Sequence, residues 1–178
     1  DSGTDIYHKA RGAQINTHNK FLAQQYVREY SEVLDEEFVQ QEKTEIIYTY
    51  PKTIVNKVDS DDLPFEYSMN PYQGCEHGCI YCYARPTHEY WGYSAGLDFE
   101  RKILVKKNVV ELLEKHFSNK KWQPAPIMLS GNTDCYQPVE RDMELTRSIL
   151  HVCLKYKHPV SVITKNSLVL RDLDLLTE

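Results

Sequence analysis

The chain has 178 residues, 41% hydrophobic and 26% charged, with a formal net charge of −5, enough for one sizeable domain. The acid excess argues against a general nucleic-acid coat protein and leaves room only for a local basic groove. Apolar runs fall far short of the ~20 residues a bilayer crossing takes. Five cysteines in a chain of this length are too few for a disulfide-stapled secreted scaffold.

The chain reads as a polar lead-in over 1–58 followed by a βα region over 59–178. The opening Asp1-Ser2-Gly3-Thr4-Asp5 has neither a basic region nor an apolar core, so no secretory signal is expected. Without an initiator Met, the start reads as trimmed. Phe21, Leu22, Tyr26, Tyr30, Val33, Leu34 and Phe38 recur at helical spacing and predict a helix over 19–40. The β-branched and aromatic content of 45–50 predicts a strand, and the Asx- and Pro-rich stretch 59–64 a loop. A short extended segment over 67–70 leads into a cysteine-rich loop.

Beyond that loop, Asn108 with Glu111 three residues on resembles a capping box and opens a helix over 108–118. Residues 126–130 read as a buried strand. Pro138 and Pro159 bracket a helix over 138–157, and 160–164 reads as a further strand. Alternating strands and helices predict an α/β fold with a parallel sheet of about three βα units. Leu168, Leu170, Leu173, Leu175 and Leu176 form an apolar pattern that stops at Glu178. Three units cannot close a barrel of ~250 residues, so the natural protein is expected to continue.

The chemistry sits in 70–84, where Cys75, Cys79 and Cys82 stand in Cys-x3-Cys-x2-Cys spacing. Thiolates are soft ligands that suit iron–sulfur clusters or zinc. Three thiolates on a glycine-containing loop can hold three corners of a cubane and leave one iron open, as a catalytic zinc keeps an open position. The competing reading is a zinc knuckle with His77, Cys135 or Cys153 as fourth ligand. No second Cys-x2-Cys pair is present to complete a zinc ribbon. A cytoplasmic metal site fits this cysteine usage better than a disulfide.

With Tyr81 in the aromatic place, Cys-x3-Cys-x-aromatic-Cys resembles the signature of the radical S-adenosylmethionine (SAM) superfamily. The resemblance implies a partial radical SAM (β/α) barrel and two cofactors, a [4Fe-4S] cluster on Cys75, Cys79 and Cys82 and SAM on the open iron. It also implies an electron donor of flavodoxin or ferredoxin type. Reductive cleavage of SAM to a 5'-deoxyadenosyl radical, with hydrogen abstraction from a substrate, is the implied reaction. Tyr81 is then expected near the adenine. Ser130-Gly131-Asn132-Thr133 stands where family members carry a small-residue motif toward the methionine amino group. Lys165 stands where strand-end polar groups meet the SAM carboxylate.

Within the superfamily, 67–178 resembles the spore photoproduct lyase-like branch, related to DNA repair photolyases. The residues concerned are Asn70-Pro71-Tyr72, Cys82-Tyr83-Ala84-Arg85-Pro86 and Thr133-Asp134-Cys135-Tyr136-Gln137-Pro138. Arg11-Gly12-Ala13 and Asp61-Asp62-Leu63-Pro64-Phe65 resemble its uncharacterised bacterial members. By that resemblance Cys135 is a candidate catalytic hydrogen donor, and nucleic acid is a candidate partner; no membrane partner is expected. The alternatives are a non-catalytic zinc or iron–sulfur module and an electron carrier. The latter is weakened by the absence of a fourth clustered cysteine.

Overall fold

The computed structural model describes His8 and residues 11–21, 43–60 and 62–178. Most of the helix expected over 19–40 lies outside them. Among the described residues, the chain runs β1 (Glu45–Thr49), β2 (Asn56–Lys57), β3 (Tyr67–Met69), β4 (Tyr72–Gln73) and a 3-10 helix over Arg85–Trp91. Then come α1 (Leu97–Arg101), β5 (Lys102–Lys106), α2 (Val109–Phe117), β6 (Ile127–Leu129), α3 (Glu140–Met143) and α4 (Leu145–Lys155). β7 (Val160–Val162), a 3-10 helix over Ser167–Asp172 and α5 (Leu173–Leu176) complete it.

The fold is α/β with two mixed sheets, not one parallel sheet. In the first, β3, β6 and β7 are parallel, with Met69, Leu129 and Val162 in one register line. β2 adds to β3 antiparallel. These three parallel strands are the ones expected from the sequence. The second sheet has the order β1-β5-β4, with β1 parallel and β4 antiparallel to β5. β1 and β2 come from the lead-in and pair with strands beyond residue 58, so the sheets span both segments.

The core lies where the helices cover these strands. Tyr72, Ile103, Val105, Leu113, Ile127, Leu129 and Ile149 are fully buried within it. Burying a side chain of this size contributes about 1.5–3 kcal/mol. On α2, Val109 and Leu113 are spaced four apart, so both fall on the buried face. The C-terminal apolar pattern docks on the same core through Leu168, Val169, Leu175 and Leu176.

Two local expectations are corrected. Asn108 does precede α2, but its side-chain amide donates to Pro51 O at 3.0 Å and makes no cap bond. The helix over 138–157 is broken at Glu144, which is left-handed at φ 51°. The break has a cause in the buried Glu140 carboxylate. It accepts from Thr146 N at 2.9 Å and Arg147 N at 3.3 Å, satisfying the first amides of a new helix from outside it. No described helix is long and apolar enough to cross a membrane.

Candidate functional site

Parallel strands place the loops after them at one end of the sheet, where open α/β folds bind ligands. Here those loops are 70–83 after β3, 130–137 after β6 and 163–166 after β7. Side chains knit them together. Asn70 Nδ2 donates to Thr133 Oγ1 at 2.9 Å, and Thr133 Oγ1 donates to Tyr72 O at 3.0 Å. Asp134 Oδ1 accepts from Thr164 Oγ1 at 2.7 Å, and Asp134 Oδ2 accepts from Lys165 N at 3.1 Å. His77 Nε2 lies 3.3 Å from Asp134 Oδ2. Burial alone would raise the Asp134 carboxyl; contacts from His77, Thr164, Tyr136 and Lys165 hold it below its ordinary value. Asp134 thus joins all three loops.

The cysteine loop starts immediately after β4. Gly74 adopts φ 79°, and a Cβ there would stand 2.8 Å from Lys102 O, so this turn requires glycine. Cys75 N then donates to Phe99 O at 2.8 Å. The Cys75 side chain packs with Ala84 and Phe99, with Cys82 at the margin. Glu76 N donates to Gln137 Oε1 at 3.0 Å, and Gln137 Nε2 donates to Gly74 O at 3.0 Å, tying the loop to the segment after β6.

Each sulfur has a distinct setting. Burial pushes the Cys75 thiol up to about 11, opposed by the backbone amides of Asp134 and His77. Cys79 and Cys82 are partly exposed. The Lys165 ammonium lies 2.8 Å from Cys79 Sγ, and this contact raises the lysine above its ordinary value. Three cysteine sulfurs on one loop are the donor type an iron–sulfur group takes, and Cys75, Cys79 and Cys82 would be the residues to hold it. All five cysteines are unpaired. Among the described residues, no group of three His, Cys, Asp or Glu side chains closes on one point as a single chelated ion requires.

The remaining candidate residues divide by depth. Tyr81 is 84% exposed beside the cysteines. Ser130 has φ 96°, unusual for a side-chain-bearing residue, and is followed by Gly131 at φ 70°. This turn is met by Tyr83, whose hydroxyl donates to Gly131 O. Asn132 Nδ2 donates to Gln73 Oε1 at 3.3 Å. Thr133 and Cys135 lie deeper. The Thr133 hydroxyl is occupied between Asn70 and Tyr72, and Cys135 is fully buried in the main core rather than with the three loop cysteines. Burial pushes the Cys135 thiol up to about 12, keeping it protonated at neutral pH. In the sequence Asp134 stands out only as part of the stretch Thr133–Pro138. Its Asx turn to Tyr136 N at 2.8 Å is local, but its bonds to 164 and 165 have no local signal.

Comparison with known proteins finds relatives that match this chain over only part of their own length. An uncharacterized protein of Mycobacterium tuberculosis is 40% identical over 128 residues, 71% of this chain and 38% of the relative. An uncharacterized protein of Methanocaldococcus jannaschii is 36% identical over 134 residues, covering 75% and 47%. An uncharacterized protein of Acidianus two-tailed virus is 28% identical over 122 residues, covering 66% and 40%. No family model matches the chain, and no solved structure does. The chain spans less than half the length of these curated relatives.

Proposed function

We propose that the protein is a radical SAM enzyme of the spore photoproduct lyase-like branch, and that this chain is the front portion of its (β/α) barrel. A [4Fe-4S] cluster would be held by Cys75, Cys79 and Cys82. The observation that carries the reading is convergence: the three-cysteine loop and the loops after β6 and β7 meet at the same ends of three parallel strands. A cluster held there would supply the one-electron reduction that cleaves SAM, the chemistry by which hydrogen is then taken from a substrate. A flavodoxin- or ferredoxin-type donor delivers that electron in the cytoplasm.

The residues of this chain bind and orient. Lys165, whose ammonium lies 2.8 Å from Cys79 Sγ, would pair with the SAM carboxylate. Ser130 and Gly131 form a left-handed turn that Asn132 continues, and Thr133 fixes it to Asn70 and to Tyr72 of β4. Tyr81 offers an exposed ring for the adenine. Cys135 retains its proton, as a hydrogen-atom donor requires, although its burial means substrate reaches it only through a local opening. Nucleic acid stays a candidate substrate class.

The test is an EPR spectrum of the anaerobically reconstituted, dithionite-reduced full-length protein, with and without SAM. A cluster signal that changes on SAM addition, with release of 5'-deoxyadenosine, is the expected result. Colourless zinc protein, or a cluster signal indifferent to SAM, contradicts it.

A further inference from the structure

We infer that Arg11-Gly12-Ala13 is a strap that sets the shape of the cysteine loop, with Glu100 as the positioning residue between them. The inference rests on the proposed function only for what the loop holds. The strap lies more than sixty residues before Cys75, yet it meets the loop through one buried carboxylate.

Glu100 is fully buried. Its Oε1 accepts from Ala13 N at 2.8 Å and from Arg85 Nη2 at 2.5 Å, and its Oε2 accepts from Gly12 N at 3.0 Å. A carboxylate so deep persists only when charge and donors surround it. Arg85 carries the connection onward, with Nε donating to Cys79 O at 3.0 Å and Nη1 to Gly96 O at 3.1 Å. Glu100 is therefore one residue removed from a proposed iron ligand.

The backbones also touch. A Cβ on Gly12 would stand 1.7 Å from Gly78 O, and a Cβ on Gly78 would stand 2.8 Å from Glu100 Oε2. Only glycine fits at residue 12 with the strap seated. A second line runs from Arg11, whose Nη1 donates to Glu100 O at 2.9 Å and Nη2 to Thr44 Oγ1 at 3.3 Å. Thr44 Oγ1 donates to Glu76 Oε1 at 2.8 Å, and Glu76 Oε2 accepts from Val139 N at 2.7 Å. Between Cys75 and Cys79, the strap and its partners thus reach Glu76 and Gly78. His77 is the remaining residue, and it faces Asp134 instead.

A loop that presents three sulfurs at fixed spacing needs its backbone restrained, because left-handed glycines such as Gly74 and Gly78 are otherwise free to move. The strap supplies that restraint from outside the loop. Its effect is read by comparing two buried thiols, Cys75 in the loop and Cys153 in the core, 7% and 2% exposed.

The experiment uses the full-length protein and the variants Gly12→Ala, Glu100→Gln and the milder Arg11→Met. In metal-free protein, alkylation of Cys75 is expected to accelerate about tenfold in the first two and less in the third, with Cys153 unchanged, because only the loop opens. Iron loss to a chelator from reconstituted protein is expected to accelerate in the same order. Equal acceleration of Cys75 and Cys153 marks general loss of stability and overturns the strap, as does an unchanged Cys75. If Cys75 responds selectively while the parent protein takes up no iron, the strap stands and the cluster reading fails.

Discussion

At the scale of single residues, the site is held by a few polar contacts between its loops. Lys165 lies against Cys79 Sγ and is bonded through its backbone to Asp134. Replacing it with methionine is expected to weaken SAM binding at least about tenfold, the scale of one lost charged hydrogen bond, as measured by calorimetry on reconstituted protein. His88 offers a second test, away from the sulfurs. Its ring is fully buried against Phe99 and Tyr93, and neither nitrogen finds a hydrogen-bond partner. Burial lowers it from 6.5 to about 4, with Asp98 pulling weakly upward and Lys102 downward. The unfolded chain thus binds the proton first. Stability falls as pH drops from 6.5 toward 4, by at most about 3 kcal/mol from this group. Urea titrations of His88→Leu at pH 7 and pH 4.5 are expected to show a smaller acid loss than the parent. An equal loss would remove His88 from the explanation. Cysteine spacing made the loop legible at this scale. The strained Ser130 was not, because serine carries no signal for a positive φ.

At the scale of elements, the C-terminal 3-10 helix is fastened to the helices before it by ion pairs. Arg171 Nη2 lies 2.7 Å from Glu140 Oε1, and Arg147 Nη1 lies 2.6 Å from Asp172 Oδ1. Tyr72, from β4, also donates to Glu140, while Tyr136 Oη donates to Asp172 at 3.0 Å. Arg171→Met leaves Glu140 buried without its cation. Since the arginine is partly exposed, a loss of about 2–4 kcal/mol is expected in urea unfolding. Leu113→Ala, at the α2 face against the core, is expected to cost about 2–5 kcal/mol in the same assay. The elements that sequence made legible are those with a strong apolar run or period: β1, β3, β6, β7 and α2. β5 went unread although it is the centre of its sheet, because Ile103-Leu104-Val105 is short, lies between lysines and follows α1 without a turn. The break between α3 and α4 was equally hidden. It depends on where Glu140 points, and proline positions alone suggest one continuous helix.

At the scale of the whole molecule, the two sheets divide the work. The β1-β5-β4 sheet sets the turn at Gly74 and carries α1 with Glu100, whereas the parallel strands of the other sheet bring the three site loops together. Period and composition revealed the parallel βα part. They could not reveal the second sheet, since β1 pairs with β5 across more than fifty residues and two-residue strands such as β4 have no period to read. The same holds for the strap, whose link to the loop is visible only once Glu100 is placed. In the proposed site, three sulfurs hold a four-iron cube and leave one corner open. Metal analysis of protein purified without oxygen tests it most directly, comparing the parent with a variant carrying Cys75→Ala, Cys79→Ala and Cys82→Ala together. About four iron atoms per parent chain and none in the variant is the expected result. Zinc in place of iron, or iron retained by the triple variant, would contradict it.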